Sequence, residues 1–146
     1  MKPLNVVLAA GLALALVGAP CAEAATPWNL SVTVKASDYD PTVPGGVSVY
    51  VVPAGETLLL TDVVMTHNVS TTSATFRANI RRGPASNSPA CATASAVLLP
   101  YVSPAETVSL NLSSPLRFQA GEQICIVIGG ASGTDGVTFS LIGIQP

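Results

Sequence analysis

Apolar and polar residues alternate with a period of two along most of the chain from residue 25 onward. Successive side chains of a strand point to opposite faces of a sheet, so this period is typical of half-buried β-strands. No window carries an extended helical pattern, in which apolar residues recur about every 3.6 positions. The alternation therefore predicts strands over 30–34, 47–51, 76–81, 107–112, 124–128 and 137–141.

One further segment, from Leu58 to Met65, is apolar on both faces with Asp62 as the exception. Such a run is typical of a strand that is covered on both sides, so we expect a central strand there. The phenylalanines all stand in alternating apolar rows and are predicted core residues; they are Phe76, Phe118 and Phe139.

Loops containing glycine and proline separate the predicted strands. The 12 Gly and 12 Pro are spread along the chain, and they supply the positive or fixed φ angles that turns need. The main loops cover 41–46, 53–55, 83–89, 120–121 and 129–136. Eight or nine strands at this spacing predict an all-β fold, a single two-sheet antiparallel sandwich of the jelly-roll type. An immunoglobulin-like strand order is the alternative.

Two of these turns repeat one local sequence. Residues 52–60 resemble residues 118–126, and both read as a strand, a tight Ala-Gly-Glu turn and a second strand. Because a jelly roll contains two Greek-key halves, the repeat favours equivalent strands in opposing halves. Chance reuse of a good turn explains it almost as well.

The first 24 residues have the three parts of a secretory signal peptide. Lys2 precedes an apolar segment that runs from Val6 to Val17, and Ala22-Glu23-Ala24 forms an A-x-A cleavage site. The apolar segment is shorter than the roughly 20 residues of a membrane-spanning helix, and no later segment reaches that length. We predict cleavage after Ala24, with cleavage after Ala25 as the near alternative, an exported domain over residues 25–146, and a secreted or periplasmic location. Lipidation at Cys21 is the less favoured variant.

Charge is scarce in the exported domain. Of six basic residues one lies in the signal, and of eight acidic residues one does, so five against seven leaves a net charge of −2. Five basic residues do not form the stripe that nucleic-acid binding requires, and the cluster Arg77, Arg81, Arg82 is expected to be a solvated strand face. A weakly charged surface rich in Ser and Thr favours self-association.

Cysteine usage agrees with export. One of the three cysteines lies in the signal, which leaves Cys91 and Cys125. Two cysteines in an exported chain are expected to form a disulfide. Their separation matches no short metal-binding motif.

The side chains that catalysis commonly uses are few. The chain has one histidine, His67, and no G-x-S-x-G motif. We expect His67 to be a strand-end residue that is hydrogen-bonded to a neighbour. Glu56 and Glu122 are the symmetric carboxylate pair, and solvation of their turns explains both more simply. We therefore predict that the chain is not an enzyme and has no cofactor, with a hydrolase as a distant third function.

Binding sites have two weaker sequence signals. Asp38, Asp40 and Asp135 stand in predicted loops and are a candidate calcium site, although their spacing matches no defined calcium-binding loop. Aromatic rings can provide a platform for sugars, because the ring face stacks on the C–H face of a sugar; the candidates are Trp28, Tyr39 and Tyr101. Glycosylation sequons occur at Asn29, Asn68 and Asn111.

The sequence thus predicts a non-catalytic, secreted or periplasmic β-sandwich with a structural, surface-associated or self-assembling role. Its expected partner is a second copy of itself, or an extracellular glycan or protein. A carbohydrate- or small-ligand-binding module is the alternative.

Overall fold

The computed structural model describes residues 24–38, 46–68, 75–84, 91, 93–129 and 136–146. Apart from Ala24, the predicted signal peptide lies outside these residues. The described strands are β1 Thr26–Lys35, β2 Val47–Val51, β3 Thr57–Asn68, β4 Phe76–Gly83, β5 Ser95–Leu98, β6 Tyr101–Val102, β7 Thr107–Gln119, β8 Gln123–Gly129 and β9 Gly136–Gln145. One 3-10 turn, Ala36–Asp38, follows β1.

The strands form two antiparallel sheets with a nested pairing. The four-stranded sheet has the order β1-β9-β3-β7, and the five-stranded sheet has the order β2-β8-β4-β5, with β6 also paired to β4. The first strand pairs with the last, β2 with β8, β3 with β7, and β4 with β6. This is the jelly-roll arrangement, so the predicted fold class is confirmed and the strand order excludes the immunoglobulin-like alternative.

The core lies between the two sheets. Phe76, Phe118 and Phe139 are completely buried, as predicted, and they pack with aliphatic residues from both sheets. The segment expected to be a central strand, β3, does lie between β9 and β7, but it is covered on one face only, since Leu59 and Val64 on its other face are half-exposed. Burial of these large apolar side chains, each contributing roughly 1.5–3 kcal/mol, stabilises the sandwich.

The repeated Ala-Gly-Glu turns lie side by side at one end of the sandwich. Gly55 and Gly121 hold φ angles of 85° and 79°, which residues with a β-carbon adopt only at a cost. The Val52 N–H donates to the Glu122 carbonyl over 2.9 Å, and the Gly121 N–H donates to the Val52 carbonyl over 2.8 Å. One turn leads from the five-stranded to the four-stranded sheet and the other leads back, so the repeat marks equivalent corners.

A third turn of the same shape was not anticipated from the sequence. It joins β6 to β7, and the Glu106 N–H donates to the Ser103 carbonyl over 3.1 Å. Ala105 takes the position that glycine holds in the other two turns, with a φ of 57°. No glycine marks this position in the sequence, so neither this turn nor the two-residue strand β6 was predicted.

Candidate functional site

The two described aromatic candidates lie at opposite ends of the sandwich. Trp28, on β1, is half-buried and packs against Tyr50 with a ring-centroid distance of 4.8 Å. Tyr101, on β6, is 57% exposed, and its hydroxyl accepts a hydrogen bond from Arg77. The structure therefore does not bring these rings into one platform. Tyr39 lies outside the described residues.

The calcium candidates are only partly described. Asp38 accepts a hydrogen bond from the backbone N–H of Lys35 over 2.8 Å, and so caps the end of β1. Asp40 and Asp135 lie outside the described residues. Within the described ranges, no three His, Cys, Asp or Glu side chains are grouped as a metal site would need. The calcium site stays a prediction.

His67 lies next to the end of β3, as expected, but its side chain is buried without a hydrogen bond, which corrects the second part of our expectation. The residue is 2% exposed, and neither ring nitrogen has a hydrogen-bond partner among the described residues. The ring meets Phe76 edge-on with a centroid distance of 4.4 Å. His67 points inward because it continues the buried face of β3, which alternates with an outward-facing row.

Both carboxylates of the repeated turns are occupied by local partners. The Glu56 carboxylate accepts a hydrogen bond from the Gln145 side chain. The Glu122 carboxylate accepts one from the Gln119 backbone N–H over 2.7 Å, and it lies 3.7 Å from the Arg82 guanidinium. Beside each turn is a shallow surface hollow of about 300 Å³ or less. These contacts stabilise the turns.

The predicted disulfide between Cys91 and Cys125 is present, with a Cα–Cα distance of 5.9 Å. It attaches Cys91, which lies between β4 and β5 in the chain, to the outer face of the five-stranded sheet. Outward-facing residues there are nearly as inaccessible as the core: Asn79 is 8%, Gln123 5% and Val127 9% exposed. The outer face of the five-stranded sheet is therefore largely covered around β8.

The four-stranded sheet has an open outer face. Two rows of side chains cross all four strands in register, from β1 through β9 and β3 to β7. The first row is Thr33, Thr138, Thr66 and Thr107, and the second is Ser31, Ser140, Val64 and Ser109. Hydroxyl pairs within the first row lie 2.8 and 3.1 Å apart. These two rows thus form an ordered, uncharged surface rich in hydroxyl groups.

Aliphatic side chains occupy the middle of this open face. They come from the two central strands, β3 and β9, and are Leu59, Val64, Ile142 and Ile144. Ile142 is 41% exposed although it lies on an inner strand of the sheet. The third row places Asp62 beside Asn111, whose side-chain amide donates to the Asp62 carboxylate over 2.6 Å. An apolar centre within a polar border is the usual composition of an interaction surface.

The four sheet edges differ in how well they are protected against pairing with another strand. On the edge strand β7, residues 112–115, including Pro115, interrupt the pairing with β3. The edge strand β2 has five residues and a register shift, and the opposite edge is divided between the short strands β5 and β6. Bulges, proline and short length are the devices by which proteins block edge pairing.

The edge strand β1 has none of these devices along its middle. All ten of its residues pair with β9 without a register shift. Pro27 and Lys35 stand near its two ends, and the residues between them are neutral. No described strand pairs with its other side. The inward-facing side chains Trp28, Leu30 and Val32 remain only half-buried.

No family model matches the chain, and no curated protein matches it either. Within the described ranges, no helix has the length and apolar character needed to cross a bilayer.

Proposed function

We propose that this chain is an exported, non-catalytic structural protein that assembles with copies of itself through the free edge of β1. The observation that carries the proposal is the contrast among the four edges, because β1 alone among the described edge strands is long, regular and unprotected. Export is supported by the N-terminal signal pattern and by the Cys91–Cys125 disulfide, since such bonds persist in oxidising compartments.

The partner that fits this edge best is the β1 strand of a second copy in antiparallel orientation. A register centred on Ser31 places Leu30 of one copy opposite Val32 of the other, with both side chains on the inner face. The same register places Lys35 opposite Pro27, so the two residues that hinder pairing meet at the ends. The pairing satisfies free backbone groups and buries more of Leu30 and Val32, which are half-exposed in one copy.

Low charge supports the same conclusion. The chain has a net charge of −2 at neutral pH, and net charge far from zero is what keeps proteins apart. No charged side chain lies between Thr26 and Val34, so two copies of this strand meet without repulsion along most of their length.

The test is the oligomeric state of the exported, oxidised protein, measured by size-exclusion chromatography with light scattering over a range of concentrations. Ser31→Lys should convert the assembly into monomers, because like charges directly opposite each other destabilise a strand pair. Ser31→Glu should do the same, and an equimolar mixture of the two variants should associate again.

Ser109→Lys is the matched control. Ser109 belongs to the same cross-strand row as Ser31 but lies on the protected edge strand β7. We expect Ser109→Lys to leave the β1 pairing intact, so that the protein does not dissociate to single chains. A wild-type protein that is monomeric at every concentration, or equal dissociation by both lysine variants, would overturn the proposal. A strict monomer would favour the glycan-binding alternative, for which the exposed Tyr101 is the residue to replace.

A further inference from the structure

The outer face of the four-stranded sheet is open where the corresponding face of the other sheet is covered. Asn79, Gln123 and Val127 on the five-stranded sheet are each less than a tenth exposed, whereas Ile142 on the four-stranded sheet is 41% exposed. No described segment packs across Ile142. An aliphatic side chain left accessible on an inner strand marks an interaction surface when further apolar residues adjoin it.

The composition of this open face fits another protein surface. Its aliphatic centre consists of Leu59, Val64, Ile142 and Ile144, and neutral hydroxyl rows extend from there to the β7 and β1 edges. The centre of a protein–protein interface is depleted of charge in this way. In the described rows of this face no aromatic ring occurs, which disfavours a stacked sugar as the occupant.

The few charges on the face are complementary to one another. Asp62 on β3 is negative, whereas Arg117 on β7 and Lys35 on β1 are positive. A two-fold arrangement of two identical faces can bring Asp62 of each copy towards Arg117 of the other, because such an interface uses the same patch on both copies. A polyanion would gain no electrostatic attraction from Asp62 at the centre of the face, so a second copy of the chain fits better.

The area of the face indicates how many copies are needed to form a stable interface. Strands lie about 4.8 Å apart and rise about 3.3 Å per residue, so four strands with the ten-residue length of β1 present roughly 600 Å². Two such faces bury roughly 1,200 Å² in total, which is the lower limit of a standard stable interface. Two copies joined through β1 form one eight-stranded sheet with roughly twice that area on one side.

We propose that two β1-linked pairs pack through these eight-stranded outer faces, so that the assembly is a tetramer. This inference rests on the proposed function, because the β1 pairing supplies the enlarged face. The two sheets pack about 10 Å apart with the aliphatic residues in the dry centre and the hydroxyl rows around it. Each pair is a two-fold unit, and the two pairs are related by a second two-fold axis.

The experiment compares the masses of single variants of the exported protein. Wild type should have the mass of four chains, and Ile142→Lys should halve that mass because a charge then lies in the centre of the face–face interface. Ser140→Lys, in the adjacent hydroxyl row of β9, should halve it too, and it tests the same contact without altering an aliphatic side chain.

Leu99→Lys is the matched control, because Leu99 is also an exposed aliphatic residue, 53% accessible, but follows β5 in the other sheet. It should leave the mass at four chains. A wild-type dimer that Ser31→Lys separates would overturn the tetramer and leave the β1 pairing intact. A tetramer that survives both β9 variants would overturn the face–face contact. A wild-type monomer would overturn both proposals.

Discussion

Ala105 offers a sharp test of how the three related turns are stabilised. It is the one non-glycine residue with a positive φ, 57°, in the described part of the chain. The equivalent positions in the other two turns are occupied by Gly55 and Gly121. We therefore predict that Ala105→Gly stabilises the protein, although glycine substitutions in general destabilise.

The magnitude follows from two opposing terms. The left-handed conformation costs a residue with a β-carbon about 1–2 kcal/mol, and Ala105→Gly removes that cost. Glycine has greater freedom in the unfolded chain, which costs about 0.5–1 kcal/mol. Ala105 is exposed, so the substitution loses little buried surface. The net effect is an increase of about 0.5–1 kcal/mol in the free energy of unfolding.

Two variants in the turn between β2 and β3 serve as controls. Ala54 is exposed like Ala105 but does not hold a positive φ, so Ala54→Gly should lower the free energy of unfolding by about 0.5–1 kcal/mol. A β-carbon on Gly55 would meet no atom within 4 Å. Gly55→Ala should therefore destabilise through its backbone conformation alone, again by about 0.5–1 kcal/mol.

The assay is urea unfolding of the oxidised protein, compared at the midpoint. With a slope of about 2 kcal/mol/M, the expected shifts are roughly 0.4 M, upward for Ala105→Gly and downward for the two controls. Unfolding should be followed for a monomeric variant such as Ser31→Lys, so that assembly does not contribute. If the two alanine-to-glycine substitutions shift the midpoint in the same direction, the reasoning about the turns is refuted.

Three further predictions concern single groups. Replacing Cys91 and Cys125 together by alanine should lower the free energy of unfolding by about 4 kcal/mol, from the loop entropy of a 34-residue separation; unchanged thermal or urea stability would contradict this. His67→Leu should raise it by about 1 kcal/mol at neutral pH, because two buried nitrogens without partners are removed, whereas a loss of stability would show that the ring is needed. Hydrogen bonds from Ser103, chiefly from its backbone N–H, hold the pKa of Glu106 below its usual value. The ionised Glu106 carboxylate therefore stabilises the fold at pH values above its ordinary pKa, and this stabilisation is lost as the pH falls through the lowered pKa. Glu106→Gln should accordingly be less stable than wild type at neutral pH and equally stable in acid. A stability difference that persists in acid would contradict the assignment.

The sequence by itself determined the fold class and most of the strands. The period of two identified the strands because it reflects a local property, the alternation of side chains along an extended backbone. Glycine at Gly55 and Gly121 identified two corners for an equally local reason, since the backbone there requires a positive φ. The core positions of Phe76, Phe118 and Phe139 followed from the same alternation.

The sequence also determined some features only in part. Cys91 and Cys125 could be paired because one partner each was available. The alternation also placed His67 on the same face as the buried residues of β3, yet its polarity argued for a strand end with a hydrogen bond. The side chain is buried because the register of β3 sets the face to which it points, whether or not a hydrogen-bond partner is present there.

Only the tertiary structure decided which strands are neighbours and which surfaces stay open. The nested order of the strands, the regular free edge of β1 and the separation of Trp28 from Tyr101 depend on pairings between distant parts of the chain. Alternation shows that a strand has one polar face, but it does not show whether another segment covers that face. Ser31 and Asn79 both stand in polar rows, yet Ser31 is exposed and Asn79 is buried, because exposure is a property of the packed assembly of strands and not of any one of them.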